Sequence, residues 1–166
     1  MRSSILKCLL VLAASLVCSS AIADLPVARI DESSLPYHLS PSSFDNSPSN
    51  YDNSISNYDN SLSNYDNSES NYDNSFSNYD NGRNGDRRLI YKYGGSLQFA
   101  GYYVAAKNGI TNFYSPRGKR MFYKPKKGRG IFGGKDGSFC GVLAQINGEL
   151  SLALTERGIK ILLMFE

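Results

Sequence analysis

Eight basic residues and no acidic one lie between Arg117 and Lys135: Arg117, Lys119, Arg120, Lys124, Lys126, Lys127, Arg129 and Lys135. Just upstream stand two adjacent rings, Tyr102 and Tyr103. Cations beside aromatic rings suit polymeric anions. On single-stranded nucleic acid the rings stack on bases while Lys and Arg follow the phosphates. On lipopolysaccharide or an acidic glycan the same side chains meet anionic groups next to less polar surface. These ten residues are the candidate ligand-binding set. The competing expectation is that the lysines keep a small domain soluble while the rings fill its core.

Catalysis has little to draw on. From Arg87 onward there is no histidine, and the four carboxylates Asp136, Glu149, Glu156 and Glu166 are scattered. Neither paired acids nor a nucleophile with its base can be assembled from these types and spacings. The chain is expected to be non-enzymatic, with no catalytic residue, no metal site and no cofactor. The glycine-rich stretch Lys124–Lys135 superficially resembles a phosphate-binding loop. However, Arg129 stands where the first glycine belongs, and Asp136 follows Lys135 where Ser or Thr is needed.

The charge is divided. Residues 87–166 hold fourteen Lys and Arg against four carboxylates, a net of +10. Residues 24–86 hold eleven carboxylates against Arg29 and Arg83, a net of −9. Such asymmetry speaks to partners more than to fold. It also predicts a weak, salt-sensitive attraction between the two halves, screened over about 8–10 Å at physiological salt.

Residues 1–23 read as a secretory signal peptide. Arg2 and Lys7 precede an apolar run from Cys8, and Ala21-Ile22-Ala23 supplies a small-x-small cleavage site. The run is shorter than the roughly 20 residues of a membrane span. A lipidated Cys18 is disfavoured by the bulky Val17 before it. The exported chain is then expected to begin at Asp24 and to be periplasmic or secreted, with no transmembrane span. Cys140 is left as its single cysteine, so no internal disulfide frames the fold. Its apolar neighbours suggest a small buried hydrophobe.

Residues 24–43 read as a polar linker, and residues 44–86 as a low-complexity arm. From Phe44 the unit Tyr-Asp-Asn-Ser-x-Ser-Asn recurs every seven residues, beginning at Phe44, Tyr51, Tyr58, Tyr65, Tyr72 and Tyr79. The variable position runs Pro48, Ile55, Leu62, Glu69, Phe76 and Arg83. A coiled coil is improbable, because Asp, Asn and Ser compete with the helical backbone. One aromatic per seven residues buries little against the cost of ordering the chain. A disordered arm with local turns is expected, a stacked solenoid with Asn and Tyr ladders being the alternative. Calcium binding is disfavoured, since each unit offers one carboxylate. The lead-in Asn46-Ser47-Pro48-Ser49-Asn50-Tyr51 resembles the tandem Asn-Ser-Pro-x-Asn-(Tyr or Trp) repeats of uncharacterised secreted bacterial proteins. That resemblance implies a bacterial, exported protein and carries no activity with it.

Residues 87–166 are expected to fold as a basic, all-β domain: a small antiparallel barrel or sandwich of about seven strands. Turns fall at Asn108-Gly109, Pro116-Arg117-Gly118, Asn147-Gly148 and Arg157-Gly158. The stretches from Gly101 and Gly141 read as two copies of a three-stranded meander. Lys124–Lys135 is expected to be a loop between them, and Ile159–Phe165 a final strand. The aromatic first copy is expected to face a partner. Two functions follow as expectations. One is an exported module that binds an anionic polymer or envelope surface. The other is a structural or interaction protein of the cell envelope with a spacer arm.

Overall fold

A computed structural model describes residues 24–78, 87–93 and 97–165. The signal-peptide reading of residues 1–23 and the last repeat at Tyr79 lie outside them. Eight strands close into a barrel in sequence order: β1 (Leu25–Arg29), β2 (Arg87–Tyr93), β3 (Leu97–Ala105), β4 (Thr111–Tyr114), β5 (Arg120–Lys124), β6 (Gly130–Gly133), β7 (Phe139–Ile146) and β8 (Glu149–Leu154). Neighbours pair antiparallel, except that β1 runs parallel to both β2 and β8 and so closes the seam. A helix, α1 (Glu156–Met164), follows β8. Among the described residues no helix is long and apolar enough to cross a membrane.

The all-β barrel expected from the sequence is the fold, and three of its parts differ from expectation. β1 comes from the segment read as a polar linker. Leu25 is fully buried, and Val27 packs against the same interior cluster. β6 lies inside the stretch read as a loop. Its Ile131 and Phe132 belong to different clusters, so this short Gly-Ile-Phe-Gly strand is buried on both faces. The chain end is α1 rather than a strand. Thr155 caps it, its side-chain oxygen accepting from the Gly158 amide, and Glu156 sits in the first turn where the helix dipole favours an anion. Gly158 and Leu162, four residues apart, are buried while the consecutive Leu163 and Met164 are both exposed, which is helical rather than alternating burial.

The two-copy reading holds at the backbone for its first two landmarks. Gly101 and Gly141 share an unusual φ, 151° and 153°, and Gly109 and Gly148 share the left-handed turn, at 87° and 83°. The copies part at the third. Gly118 lies in a turn with positive φ, whereas Gly158 is inside α1.

The strands separate two cores. On β8, Leu152 and Leu154 face one cluster and Ala153 the other. The first cluster includes Ile90, Phe113, Phe122, Ile131 and Cys140, with Leu162 of α1 over it. We read it as the barrel interior, which eight strands leave just wide enough for side chains to fill. The second, with Tyr123, Phe132 and Val142, lies on the other face of the sheet, where Leu35, Leu39 and Ile55 of the N-terminal segment cover it.

That cover is the main correction to the sequence reading: the arm is ordered. Each described unit forms a short 3-10 turn, at Phe44–Asn46, Tyr51–Asn53, Tyr58–Asn60, Tyr65–Asn67 and Tyr72–Asn74. Side-chain amides do what an apolar core does elsewhere. The Nδ2 of Asn53, Asn60, Asn67 and Asn74 each donates to carbonyls eight and six residues back, at 2.6–3.0 Å. The other asparagine of each unit caps the next turn; Asn50, Asn57, Asn64 and Asn71 accept from the amide two residues on, each at 3.0 Å. Serines add the same local bond, as Ser54 does to the Ser56 amide. Asn and Ser weaken helices because they bond their own backbone, and here that tendency builds the repeat. A further, degenerate unit precedes the six: Tyr37–Leu39 is also a 3-10 turn, and Asn46 donates to the His38 carbonyl in the same eight-residue step.

Candidate functional site

The arm lies on the barrel and is read by it. Four barrel side chains donate to the same backbone atom in four successive units, the carbonyl of the Tyr-Asp-Asn asparagine. Tyr123 Oη donates to Asn53 at 2.7 Å, Arg120 Nη1 to Asn60 at 2.8 Å, Tyr114 Oη to Asn67 at 3.1 Å and Tyr102 Oη to Asn74 at 3.0 Å. Asn112 and Asn108 add bonds to the Asn67 side-chain oxygen at 3.0 and 3.2 Å. Asn46 passes beside Gly128 and Gly130, so from Asn46 to Asn74 the arm crosses β6, β5, β4 and β3 in turn.

The variable position fits whatever lies beneath it. Ile55 packs with the outer cluster, above Gly137. Glu69 accepts from Lys119 Nζ at 2.8 Å and from the Arg120 backbone amide at 2.9 Å. Phe76 packs at a tilt against Phe99 and Tyr102, at 5.7 and 5.1 Å between ring centres. The constant residues build the arm, and the variable ones match it to the barrel.

This arrangement engages three of the ten candidate ligand-binding residues, Tyr102, Lys119 and Arg120. Tyr102 and Tyr103 are buried, the first under the arm and the second stacked near Phe113; neither offers a free face to a base. Arg120 is only 2% exposed and lies 4.6 Å from the centre of the Tyr123 ring. Burial pulls its pKa down to about 10. Lys119 is held by Glu69, and Lys124 is half-buried with its ammonium on the Pro125 carbonyl. Lys135 lies 6.0 Å from the Phe165 ring centre. Arg117, Lys126, Lys127, Arg129 and Lys135 are exposed, as is Lys119 beside Glu69. Lys126 and Lys127 share a cleft of about 200 Å³ with Asp52 and Asp59 of the arm. The acidic arm of the same chain thus covers part of the aromatic, basic face. Its contact is a fixed set of short hydrogen bonds, rather than the weak screened attraction that charge alone predicted.

The side of the arm turned from the barrel carries the first ring of each unit. Tyr37, Phe44, Tyr51, Tyr58, Tyr65 and Tyr72 are each 60–72% exposed, one ring every seven residues. Scattered exposed rings are ordinary, but a contiguous row on one edge is a feature of interaction surfaces. The signal was present in the sequence as the invariant first position; what it lacked was which way that position points.

Among the described residues no three His, Cys, Asp or Glu side chains gather as a metal site. Cys140 is buried, and its thiol is pushed up to about 11, chiefly by that burial. No family model, curated protein or solved structure matches the chain.

Two predictions test how the arm is held. Replacing Tyr114 with Phe leaves the buried Asn67 carbonyl without its barrel donor, at a cost of about 1–3 kcal/mol. The melting temperature should fall, and amide exchange should quicken in residues 58–74 more than in β7 and β8. Equal acceleration in both would show that the arm has no stability of its own to lose.

The second uses pH. Burial alone would raise the Glu69 pKa, but the bonds from Lys119 and the Arg120 amide outweigh it and hold the carboxyl below the 4.5 of an ordinary glutamate. A depressed carboxylate contributes stability that is complete above its unfolded pKa and is lost as pH falls through the folded one. Arm docking should therefore loosen below pH 4.5, and Glu69→Gln should remove that part of the acid sensitivity. Identical acid melts for the two proteins would count against the role assigned to Glu69.

Proposed function

We propose that the protein is an exported, non-catalytic interaction module of the cell envelope, in which the barrel holds the repeat arm rigid and the outer edge of the arm meets the partner. One observation carries this reading: the barrel fixes four successive units by the same carbonyl, and every fixed unit turns its ring to solvent. A disordered spacer would have no reason to be pinned at each repeat. The anionic-polymer reading keeps one supporting observation, the exposed cations Arg117, Lys126, Lys127 and Arg129, which lie near the barrel turns.

Co-sedimentation with envelope fragments separates the two. Two variants are compared with the parent chain: one with Tyr51, Tyr58, Tyr65 and Tyr72 changed to Ser, the other with Lys126, Lys127 and Arg129 changed to Ala. All seven residues are exposed, so both variants should fold. The expected result is that the ring variant no longer sediments and the loop variant still does, with little dependence on salt. The reverse pattern, with binding falling steeply as salt rises, would favour the anionic polymer.

A further inference from the structure

We propose that the row of rings along the arm is a docking surface for a linear, uncharged glycan. The inference rests on the reading that the arm's outer edge is the contact surface, and adds the class of partner. The first argument is the constancy of the rings. Between units the variable position has diverged through Pro48, Ile55, Leu62, Glu69 and Phe76, yet an aromatic residue begins every one. Packing does not require it, since these rings are the most exposed large apolar groups of the arm. Phe44 in place of Tyr shows that the flat ring, and not its hydroxyl, is what recurs.

The second argument is charge. The arm is rich in carboxylates, but the barrel answers several of them. Asp73 pairs with Lys107 at 3.0 Å and Glu69 with Lys119 at 2.8 Å, while Asp52 and Asp59 line the cleft that holds Lys126 and Lys127. What faces outward is a set of rings among serine hydroxyls and neighbouring carboxylates whose charge is partly compensated. A polycation or polyanion gains little from such an edge. A chain of sugar rings suits it, because flat apolar faces alternate there with hydroxyls that bond to Ser and Asp oxygens.

The third argument is periodicity. Each unit repeats the same hydrogen bonds, so the rings recur at a constant interval and face the same way. A periodic row matches a periodic polymer. A proline-rich peptide docks in grooves between aromatic side chains, whereas these rings stand out from the arm.

The test titrates the chain from Asp24 with soluble cello- and chito-oligosaccharides of increasing length. Poly-L-lysine, a proline-rich peptide and heparin form the other arms. Affinity should rise with oligosaccharide length and stay level between low and high salt. The four-ring variant, confirmed as folded by its cooperative melt, should bind at least about tenfold more weakly, the scale of a single stacked ring. The inference is overturned if neither sugar series binds, if binding survives loss of the rings, or if poly-L-lysine or the proline-rich peptide binds in a ring-dependent way instead. Sugar binding that fails while envelope sedimentation still needs the rings removes the glycan alone. Sedimentation indifferent to the rings removes the contact surface as well.

Discussion

A chain that begins at Arg87 should fail to form the barrel. β1, from Leu25 to Arg29, is hydrogen-bonded on both sides, to β2 through Leu25 and Pro26 and to β8 through Val27, Ala28 and Arg29. Without it two long edges, β2 and β8, present unpaired backbone groups to solvent, an arrangement that invites aggregation. The interior loses Leu25, and the outer cluster loses Leu35, Leu39 and Ile55 from its cover. Fully burying each such side chain contributes about 1.5–3 kcal/mol, so their joint loss is comparable with the whole stability of a small domain, about 5–15 kcal/mol. The buried hydroxyls of Tyr102, Tyr114 and Tyr123 would also lose their acceptors. Residues 24–166 should melt in one cooperative transition by circular dichroism, while residues 87–166 should be insoluble or melt without one. A soluble truncated chain with the full-length midpoint would show that β1 and the arm are decoration.

Gly141→Ala should be nearly as severe. Gly141 pairs with Ile131 beside a register shift in β7, at φ 153°, a region that side chains rarely occupy. A methyl group there would collide with the Ala153 carbonyl oxygen, which is backbone of the neighbouring strand and cannot swing aside. Backbone strain of about 1–3 kcal/mol adds to a similar cost of overpacking. At about 2–4 °C per kcal/mol for a chain of this size, the melting temperature should drop by about 4–24 °C. Gly148→Ala is the control. Its φ of 83° is also positive, but nothing lies within 4 Å of the added methyl. It should cost only about 1 kcal/mol. Equal losses at the two positions would mean that the dihedral angle, and not the close approach, governs both.

The sequence was most legible where turn chemistry is local. Asn108-Gly109 and Asn147-Gly148 mark hairpins because positive φ needs Gly or Asn, and those turns fall where expected. Apolar alternation misled at Ile159–Phe165, because Leu162 between the alternating positions is apolar too, so the run also contains the i, i+3 pair Ile159 and Leu162 that packs on the interior cluster. A capped start at Thr155 was the better signal. β1 was hidden because its partners lie some sixty and some 125 residues away in sequence, and such long-range pairing leaves no local trace. The arm was misjudged by counting only apolar burial. The two amide bonds of each Asn53-type side chain replace that burial, and carboxamides at heptad spacing were in plain view. The candidate site was half legible. The basic, aromatic face was visible as composition, but not that Tyr102, Lys119 and Arg120 on it bond to the arm, because that contact spans 28 to 60 residues of sequence.

The arm leaves the barrel from β1 and returns to it at β2, and these two strands are neighbours. The tandem array is therefore a belt with both ends stitched to one seam, unlike an open solenoid that grows from a free end. Its copy number is gauged by the circumference it must travel. A unit gained would have to stand off as a seven-residue festoon with no carbonyl under any barrel donor. A unit lost would leave one of the four donors facing nothing, and would slide Ile55 or Phe76 off its seat. Tandem repeats ordinarily drift in number as genes are copied; here each of the four pinned repeats has a numbered place, and the barrel keeps their count.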